Sequence, residues 1–239
     1  MRPPPTPTAS YVEACKKTSS TIAKNGINQH LLVLDLNGTL ISTKSRNSTR
    51  RPQLERLQRY MFKEFQVMVY SSAMRHNVQR YVDTSFSTAH RNALLSVLSR
   101  ECMDMSRKEF TNKVQTYKNL SLVWKKHPQF SQYNTILIDD SSDKAANQPH
   151  NLLQLSTWDG SQDDTMLIAL IGVLDDIKNA HNVSHYLSTF QHIKCVDEAA
   201  DTATPWFEIP QVYSYWLSKG HALLNIDGVL DNMASLSLE

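Results

Sequence analysis

Polar side chains follow three short apolar segments of this sequence, each at the point where the segment ends. A carboxylate held at such a position can attack phosphorus or hold a hard cation, and neighbouring hydroxyl groups can bind phosphoryl oxygens. Lys118 adds a positive charge ahead of the third segment, where it can offset charge on those oxygens. This mixture of groups predicts a site for phosphoryl transfer. The residues at the segment ends are Asp35 and Asn37, then Ser71 and Ser72, then Asp139 and Asp140.

The stretch from Leu31 to Leu40 shows the arrangement best. Its first four residues are apolar, which is typical of a strand buried on both faces. Asp35 follows directly, and Gly38 and Thr39 let the backbone turn and offer N–H groups to phosphate oxygens. An aspartate that only caps a turn would leave the same pattern, so the assignment depends on the rest of the chain.

Strand-like apolar segments alternate with amphipathic helical segments, and this pattern predicts an α/β fold with a parallel sheet flanked by helices. In such a sheet the carboxyl ends of the strands share one edge, so the polar groups can converge there. Carboxylates, water and phosphate oxygens are the ligands that Mg²⁺ prefers, which makes Mg²⁺ the expected cofactor. Strands are predicted at 31–34, 67–70, 94–98, 135–138 and 152–155, and helices at 51–61, 74–82, 117–126, 164–179, 183–193 and 211–218.

An ordered set of motifs over roughly residues 30–180 resembles the haloacid dehalogenase (HAD) superfamily, specifically its FCP1/SCP-like phosphatase branch. The resemblance implies a HAD-like Rossmannoid sheet and a phosphatase that acts through an aspartyl-phosphate. The motifs are Asp35-Leu-Asn-Gly-Thr-Leu40, Arg51-Pro52, Val67 to Ser72, Arg100-Glu101-Cys102, Tyr117-Lys118-Asn119-Leu120, Ile136 to Ser141, and Asn151.

The resemblance also implies roles for individual residues. Asp35 would be the nucleophile, and Ser71 and Lys118 would hold the transferring phosphoryl oxygens, with Ser72 beside them. Mg²⁺ would be bound by the Asp35 carboxylate, by the backbone carbonyl of Asn37 and by Asp140, with Asp139 in support.

Asn37 is the first departure from the family pattern. The family has an aspartate there, which protonates the leaving oxygen and later activates water. An amide can do neither, because it has no titratable proton near neutral pH. Loss of such acid–base help typically lowers the rate by about 10²–10⁴-fold, and less for aryl phosphates, whose leaving group needs no proton.

The short connection from Leu40 to Arg51 is the second departure. SCP-type phosphatases carry a β insert there that helps to bind their phosphopeptide, and this span is too short to hold one. A preference for the polymerase tail is therefore not carried over to this chain.

Composition bears on nucleic acid binding, on membrane insertion and on the cellular compartment. Lys and Arg exceed Asp and Glu by only two (25 against 23), so we expect no direct nucleic acid binding. No apolar run approaches the roughly 20 residues of a membrane span. Cys15, Cys102 and Cys195 show neither zinc spacing nor a disulfide framework, which favours a reducing compartment, nuclear or cytoplasmic. The first 28 residues lack the Arg-rich amphipathic pattern of a mitochondrial presequence, which makes that location less favoured.

Three regions are predicted: a flexible leader at 1–28, the FCP1-like HAD domain at 29–182, and a C-terminal helical extension at 183–239 packed on the core or on a partner. Two functions fit them. One is a Mg²⁺-dependent phosphatase of phosphoserine or phosphothreonine proteins, impaired by Asn37. The alternative is a catalytically inactive pseudophosphatase that binds a protein partner, for which the aromatic residues of the C-terminal region would form an interface. The oligomeric state is left open.

Overall fold

A parallel sheet of five strands forms the centre of the molecule. The computed structural model describes residues 3–18, 29–44, 48–112, 114–190 and 204–236. The strands in this part of the chain are β1 (Leu31–Leu34), β2 (Ile41–Ser42), β3 (Thr49–Arg50), β4 (Gln66–Tyr70), β5 (Val97–Leu98), β6 (Thr135–Asp139) and β7 (Leu152–Gln154). The sheet order is β5-β4-β1-β6-β7, and all neighbouring pairs are parallel. The predicted α/β fold with a parallel sheet is confirmed.

Helices cover both faces of this sheet. None of the described helices combines the length and the apolar character that a membrane span requires. The described helices are α1 (Ala9–Cys15), α2 (Leu54–Glu64), α3 (Arg75–Ser85), α4 (Thr88–Ala93), α5 (Arg107–Thr111), α6 (Leu120–Lys126), α7 (Met166–Ile177), α8 (Val183–Phe190) and α9 (Pro210–Leu236).

Several predicted boundaries were wrong, for local reasons. Helix α2 begins after Pro52, because Gln53 takes a left-handed conformation (φ 67°) before the first turn. Strand β5 is shorter than the predicted 94–98, because Leu94 ends α4 with a bond to Arg91. Helix α9 is much longer than the predicted 211–218. Helix α8 is described as far as Phe190, and the predicted residues 191–193 lie outside the described part.

Strand β1 holds its position because both of its faces are covered. Leu32 and Leu34 pack into the larger core with α2, α7, α8 and α9, while Leu31 and Val33 pack into a second core with α6. All four side chains are fully buried, and burying one such side chain stabilises a fold by about 1.5–3 kcal/mol. Asp35 therefore follows a strand that has little freedom to move.

The C-terminal helix α9 is part of the larger core. Trp206, which precedes the helix, and Trp216 on the helix are buried in this core, whereas Tyr215, next to Trp216, is 60% exposed. Gly172 of α7 and Gly220 of α9 face each other's helix at very short range, since a Cβ on either would overlap a backbone carbonyl oxygen. The hypothesis that these aromatic residues form a partner interface does not fit the two tryptophans, which hold α9 on its own domain.

Replacing Gly220 by alanine should lower the free energy of unfolding by about 1–3 kcal/mol. The added methyl group overlaps the carbonyl oxygen of Ile168. The energetic cost of this overlap exceeds the stabilisation of about 1 kcal/mol that alanine gives over glycine in a helix. Urea unfolding measures the change. Ser214→Ala, at an exposed position on the same helix, is the matched control and should not destabilise. Equal stability of the Gly220 variant and the native chain would show that α7 and α9 are not in such close contact.

Residues 1–28 were predicted to be a flexible leader, but part of this region forms a helix that packs on the domain. Helix α1 is capped by the Thr8 side chain and buries Tyr11 and Cys15. The Tyr11 hydroxyl donates to Asn151 Oδ1 at 2.9 Å, and the Asn182 side chain donates to the Ala14 carbonyl at 3.0 Å. These contacts dock α1 on the domain, while residues 19–28 lie outside the described part.

A small hairpin connects the loop after β1 to helix α2. Strands β2 and β3 pair antiparallel, Ile41 opposite Arg50 and Ser42 opposite Thr49, where the sequence pattern predicted only a loop. Each strand has two residues, so the hairpin is far smaller than a β domain.

Candidate active site

A buried lysine joins two acidic groups at the carboxyl edge of the sheet. Lys118 Nζ lies 2.6 Å from Asp35 Oδ1 and 2.6 Å from Asp139 Oδ2. Strands β1 and β6 are neighbours, and Leu34 lies beside Ile138. The residue that follows each of them is an aspartate, so Asp35 and Asp139 lie side by side. All three side chains are buried, with exposed fractions of 1% for Lys118, 6% for Asp35 and 1% for Asp139. The predicted convergence of these residues is therefore present in the structure.

Lys118 is held by the extended segment before α6, and not by the helix that was predicted to contain it. The helix begins at Leu120, because the Asn119 side chain caps it by accepting from the Ser121 N–H. The Lys118 N–H donates to the Lys144 carbonyl at 2.7 Å, and Lys144 Nζ donates to Thr116 Oγ1 at 3.1 Å. This double contact sets the direction from which the ammonium group approaches Asp35.

Asp140 completes a group of three carboxylates. Asp35, Asp139 and Asp140 each offer an oxygen within 4.8 Å of the others. Gly38 (φ 86°) lies directly against Asp140, and a Cβ at this position would overlap its carboxylate. Glycine thus leaves the space that this carboxylate needs. Both oxygens of Asp139 are already engaged, by Lys118 and by the Ser141 N–H, so Asp35 and Asp140 are the better ligands.

The electrostatics of this group favour a bound cation. Burial raises the pKa of Asp35 to about 7; Lys118 opposes this shift, and Asp139 adds to it. Burial would lower the pKa of Lys118, but Asp139 and Asp35 outweigh it, so that pKa is raised. Burial also raises the pKa of Asp140. Three carboxylates against one ammonium leave excess negative charge, which a divalent oxygen-binding ion would neutralise, so the residues fit Mg²⁺.

The loop after β1 uses two of the amides that were predicted to bind phosphate. The Gly38 N–H donates to the Ile41 carbonyl at 2.8 Å, and the Thr39 N–H donates to the Leu36 carbonyl at 3.3 Å. The prediction for the Gly38 and Thr39 amides therefore does not fit, because the turn itself satisfies both donors. The N–H groups of Leu36 and Asn37 donate to no described residue, which makes them the better candidates. Sequence reasoning missed Leu36, because a backbone donor is independent of side-chain type.

Ser71 lies at the same edge, one strand away. β4 pairs with β1 so that Val69 lies beside Leu34, which places Ser71 at the end of the neighbouring strand. Its side chain is 2% exposed, and its Oγ accepts from the Ala73 N–H at 3.3 Å, leaving the hydroxyl proton to donate. Ser72 follows in the turn and is half-buried.

The Asn37 side chain is bound to the hairpin. Its Oδ1 accepts from the Thr43 N–H at 3.1 Å and from the Thr43 hydroxyl at 2.6 Å. Both contacts need only an acceptor, so a carboxylate at this position would keep them. The local structure therefore accepts either asparagine or aspartate.

Arg51 connects the site loop to the chain beyond β7. Its guanidinium donates to the Thr39 carbonyl at 3.0 Å and binds Asp164 through two hydrogen bonds of 2.8 and 2.9 Å. It also donates to the Ser156 carbonyl at 3.1 Å, and it is 1% exposed. The sequence pattern placed Arg51 at a helix start and gave no sign of this role, because its partner lies more than a hundred residues away.

Comparison with known proteins shows the family of this chain and relatives that share its fold. The sequence profile of the NLI interacting factor-like phosphatase family matches residues 30–184. An uncharacterised FCP1 homology domain-containing protein of Schizosaccharomyces pombe is 37% identical over 188 residues, 68% of this chain and 77% of that protein. Two solved structures, Fcp1, an essential RNA polymerase II CTD phosphatase, and a fission yeast Fcp1 variant bound to beryllium fluoride, match with TM-scores of 0.54. Each is 12% identical and matches over 70% of this chain and 71% of its own, which shows the shared fold.

The fold shared with these solved structures is an α/β fold with a parallel sheet, and in this chain a cluster of three acidic residues lies at the carboxyl edge of that sheet. The chain belongs to the NLI interacting factor-like phosphatase family, whose FCP1-like domain covers most of its length.

Proposed function

We propose that this protein is a Mg²⁺-dependent phosphatase of phosphoserine or phosphothreonine in proteins, with Asp35 as the nucleophile. The observation that carries the proposal is the position of Asp35. It follows a strand buried on both faces, beside the Lys118 ammonium and within reach of Asp140. A carboxylate positioned in this way suits nucleophilic attack on phosphorus, because positioning and charge neutralisation supply most of the catalysis in phosphoryl transfer.

In the first step, the free Oδ2 of Asp35 attacks phosphorus, and the bond from phosphorus to the substrate oxygen breaks. The phosphoryl oxygens are held by the Lys118 ammonium, the Ser71 hydroxyl and the open N–H groups of Leu36 and Asn37. The leaving oxygen takes its proton from solvent, because the Asn37 amide has none to give. When bound between Asp35, Asp140 and the Asn37 carbonyl, Mg²⁺ supplies charge neutralisation at the phosphoryl oxygens.

In the second step, water attacks phosphorus, the acyl–phosphate bond breaks, and inorganic phosphate leaves with Asp35 restored. The proton that the water loses goes to solvent, because the Asn37 amide cannot accept it. For a substrate with a good leaving group, this second step should therefore be the slower one.

Hydrolysis of p-nitrophenyl phosphate by the purified chain tests the proposal. We expect turnover that requires added Mg²⁺ and is lost when EDTA removes it, because the single Lys118 ammonium does not balance the charge of the three carboxylates. Restoring Mg²⁺ should restore the rate. Equal hydrolysis with and without the metal would overturn the proposal.

Binding of Mg²⁺ should weaken at acidic pH. The pKa of Asp35 is raised to about 7, so below this pH the carboxyl group is protonated and a bound cation must displace the proton. The apparent dissociation constant should rise up to about tenfold for each pH unit below 7 and level off above it. Calorimetry at about pH 6 and pH 8 measures this. Asp35→Asn, which lacks the proton, should show a weaker dependence, and a constant affinity in the native chain would contradict the expectation.

An interaction module without catalysis is the second candidate, and Asn37 is the observation that favours it. In that case the acidic group would be a structural remnant of the phosphatase fold. The two candidates differ in their response to an aspartate at position 37, which only the phosphatase would use for acid–base catalysis.

A further inference from the structure

Two adjoining cavities lie beside helix α2, on residues that the phosphoryl chemistry does not use. One has a volume of about 320 Å³ and the other about 540 Å³. They share Arg50, Glu55 and Arg59 as lining residues, and Arg56 lines the smaller one. We call the pair the arginine groove. The larger cavity is also lined by residues 83–87 and His90, which extend from the end of α3 into α4.

The arginine groove carries positive charge that the described part of the chain does not neutralise. Arg50 pairs with Glu55 at 3.1 Å. Arg56 and Arg59 are exposed, and neither forms an ion pair with a residue that the structure describes. They are three residues apart on one face of α2, so their like charges repel each other at a cost of a few tenths of a kcal/mol. A bound anion would relieve that repulsion.

A buried serine also lines the larger cavity of the arginine groove. Ser85 lines the larger cavity and is 1% exposed, yet its Oγ has no hydrogen-bond partner in the described part of the chain. Around it the structure is fixed, because Gln58 Nε2 donates to the Ser85 carbonyl at 2.7 Å and Gln58 Oε1 lies 3.2 Å from His90 Nδ1. A buried hydroxyl without a partner is unfavourable, so a ligand group that accepts from it would be stabilised.

We propose that the arginine groove binds an acidic segment of a protein partner. Arg56 and Arg59 would bind carboxylates, and the Ser85 hydroxyl would donate to one of them. The ligand class follows from the charges, because Glu55 and Asp83 also line the groove and would repel the continuous phosphate backbone of a nucleic acid. Separate carboxylates on a flexible peptide can avoid these two acids. The proposal does not depend on phosphatase activity, since none of the residues in the arginine groove is a carboxylate or lysine of the candidate active site.

Fluorescence anisotropy with a labelled hexaglutamate peptide tests this site on the full chain at low salt. We expect binding that the Arg56→Gln/Arg59→Gln double variant weakens about tenfold, since each arginine loses a charge-assisted hydrogen bond. Arg107→Gln/Lys108→Gln removes the same charge from exposed positions outside the groove and should leave the affinity unchanged. Ser85→Ala should weaken binding about threefold without lowering the melting temperature, because the Ser85 hydroxyl has no hydrogen bond to lose among the described residues.

Each other outcome overturns the proposal. Equal losses in the groove variant and in the Arg107/Lys108 control would show attraction by net charge alone, and no binding of the peptide would remove the site. Tighter binding of a hexathymidylate oligonucleotide than of hexaglutamate, with the same sensitivity to Arg56 and Arg59, would assign the groove to nucleic acid. Absence of phosphatase activity would not affect any of these readings.

Discussion

Replacing Asp35 by asparagine is expected to lower the hydrolysis of p-nitrophenyl phosphate by more than about 10³-fold, to the uncatalysed background. The amide keeps the shape of the side chain but cannot form the covalent bond to phosphorus. The loss should not come from unfolding, because burial already disfavours the Asp35 charge and Lys118 keeps Asp139 as a partner. We expect the melting temperature of the metal-free variant to equal or exceed that of the native chain.

The matched control for this variant is Asp143→Asn. It removes one carboxylate near Asp140, from an exposed residue that is not one of the three clustered acids. Its activity should stay within about twofold of the native chain, since exposed charges have small effects at a distance. Full activity in Asp35→Asn would identify the hydrolysis as that of a contaminant.

Replacing Asn37 by aspartate is expected to raise the turnover of a phosphoserine peptide by about 10²–10⁴-fold. The new carboxyl group can protonate the serine oxygen as it leaves and can later accept a proton from water. The Thr43 N–H and hydroxyl would keep their acceptor, so the loop should not rearrange. The steady-state rate of phosphate release measures the gain, and the gain should be smaller for the attack on p-nitrophenyl phosphate, whose leaving group needs no proton.

Asn37→Ala separates acid–base help from simple disturbance of the loop. It removes the two contacts to Thr43 and adds no titratable group, so it should give no gain in rate. If Asn37→Asp were as slow as Asn37→Ala, the remaining apparatus would be incomplete, and the interaction module would be the better account of the protein.

The sheet could be predicted because its strands are dense apolar segments. Strand β1 and residues 136–138 of strand β6 are short apolar segments, and an apolar segment followed by an acidic residue can be recognised in the sequence alone. The convergence of Asp35 and Asp139 followed from the rule that parallel strands end at one edge. These parts of the candidate site depend on local pattern and on a general property of the fold.

Other parts could not be predicted, because they depend on contacts between distant residues or on the backbone alone. Arg51 bridges Thr39 and Asp164, which no spacing rule connects. The use of the Gly38 amide within the turn became visible only from its bond to Ile41. In both cases the role of the residue depends on a hydrogen bond that the local sequence does not specify.

The two chain ends show the same limit. Helix α1 is a short segment among Pro, Ser and Thr, and this composition predicts disorder. The hydrogen bond from Tyr11 to Asn151, which holds the helix on the domain, cannot be inferred from composition. The placement of α9 depends on the close approach of Gly172 and Gly220, which come from helices far apart in sequence. Composition therefore described these regions less well than it described the sheet.

In the proposed mechanism, Asp35 takes the phosphoryl group, and Asn37 leaves the second step without a base. Rapid acid quench after mixing the chain with Mg²⁺ and p-nitrophenyl phosphate, followed by mass spectrometry of its peptides, tests it directly. We predict a burst of up to one equivalent of p-nitrophenol and the added mass of one phosphoryl group on the peptide that contains Asp35. Steady hydrolysis without a burst and without that added mass would contradict the claim.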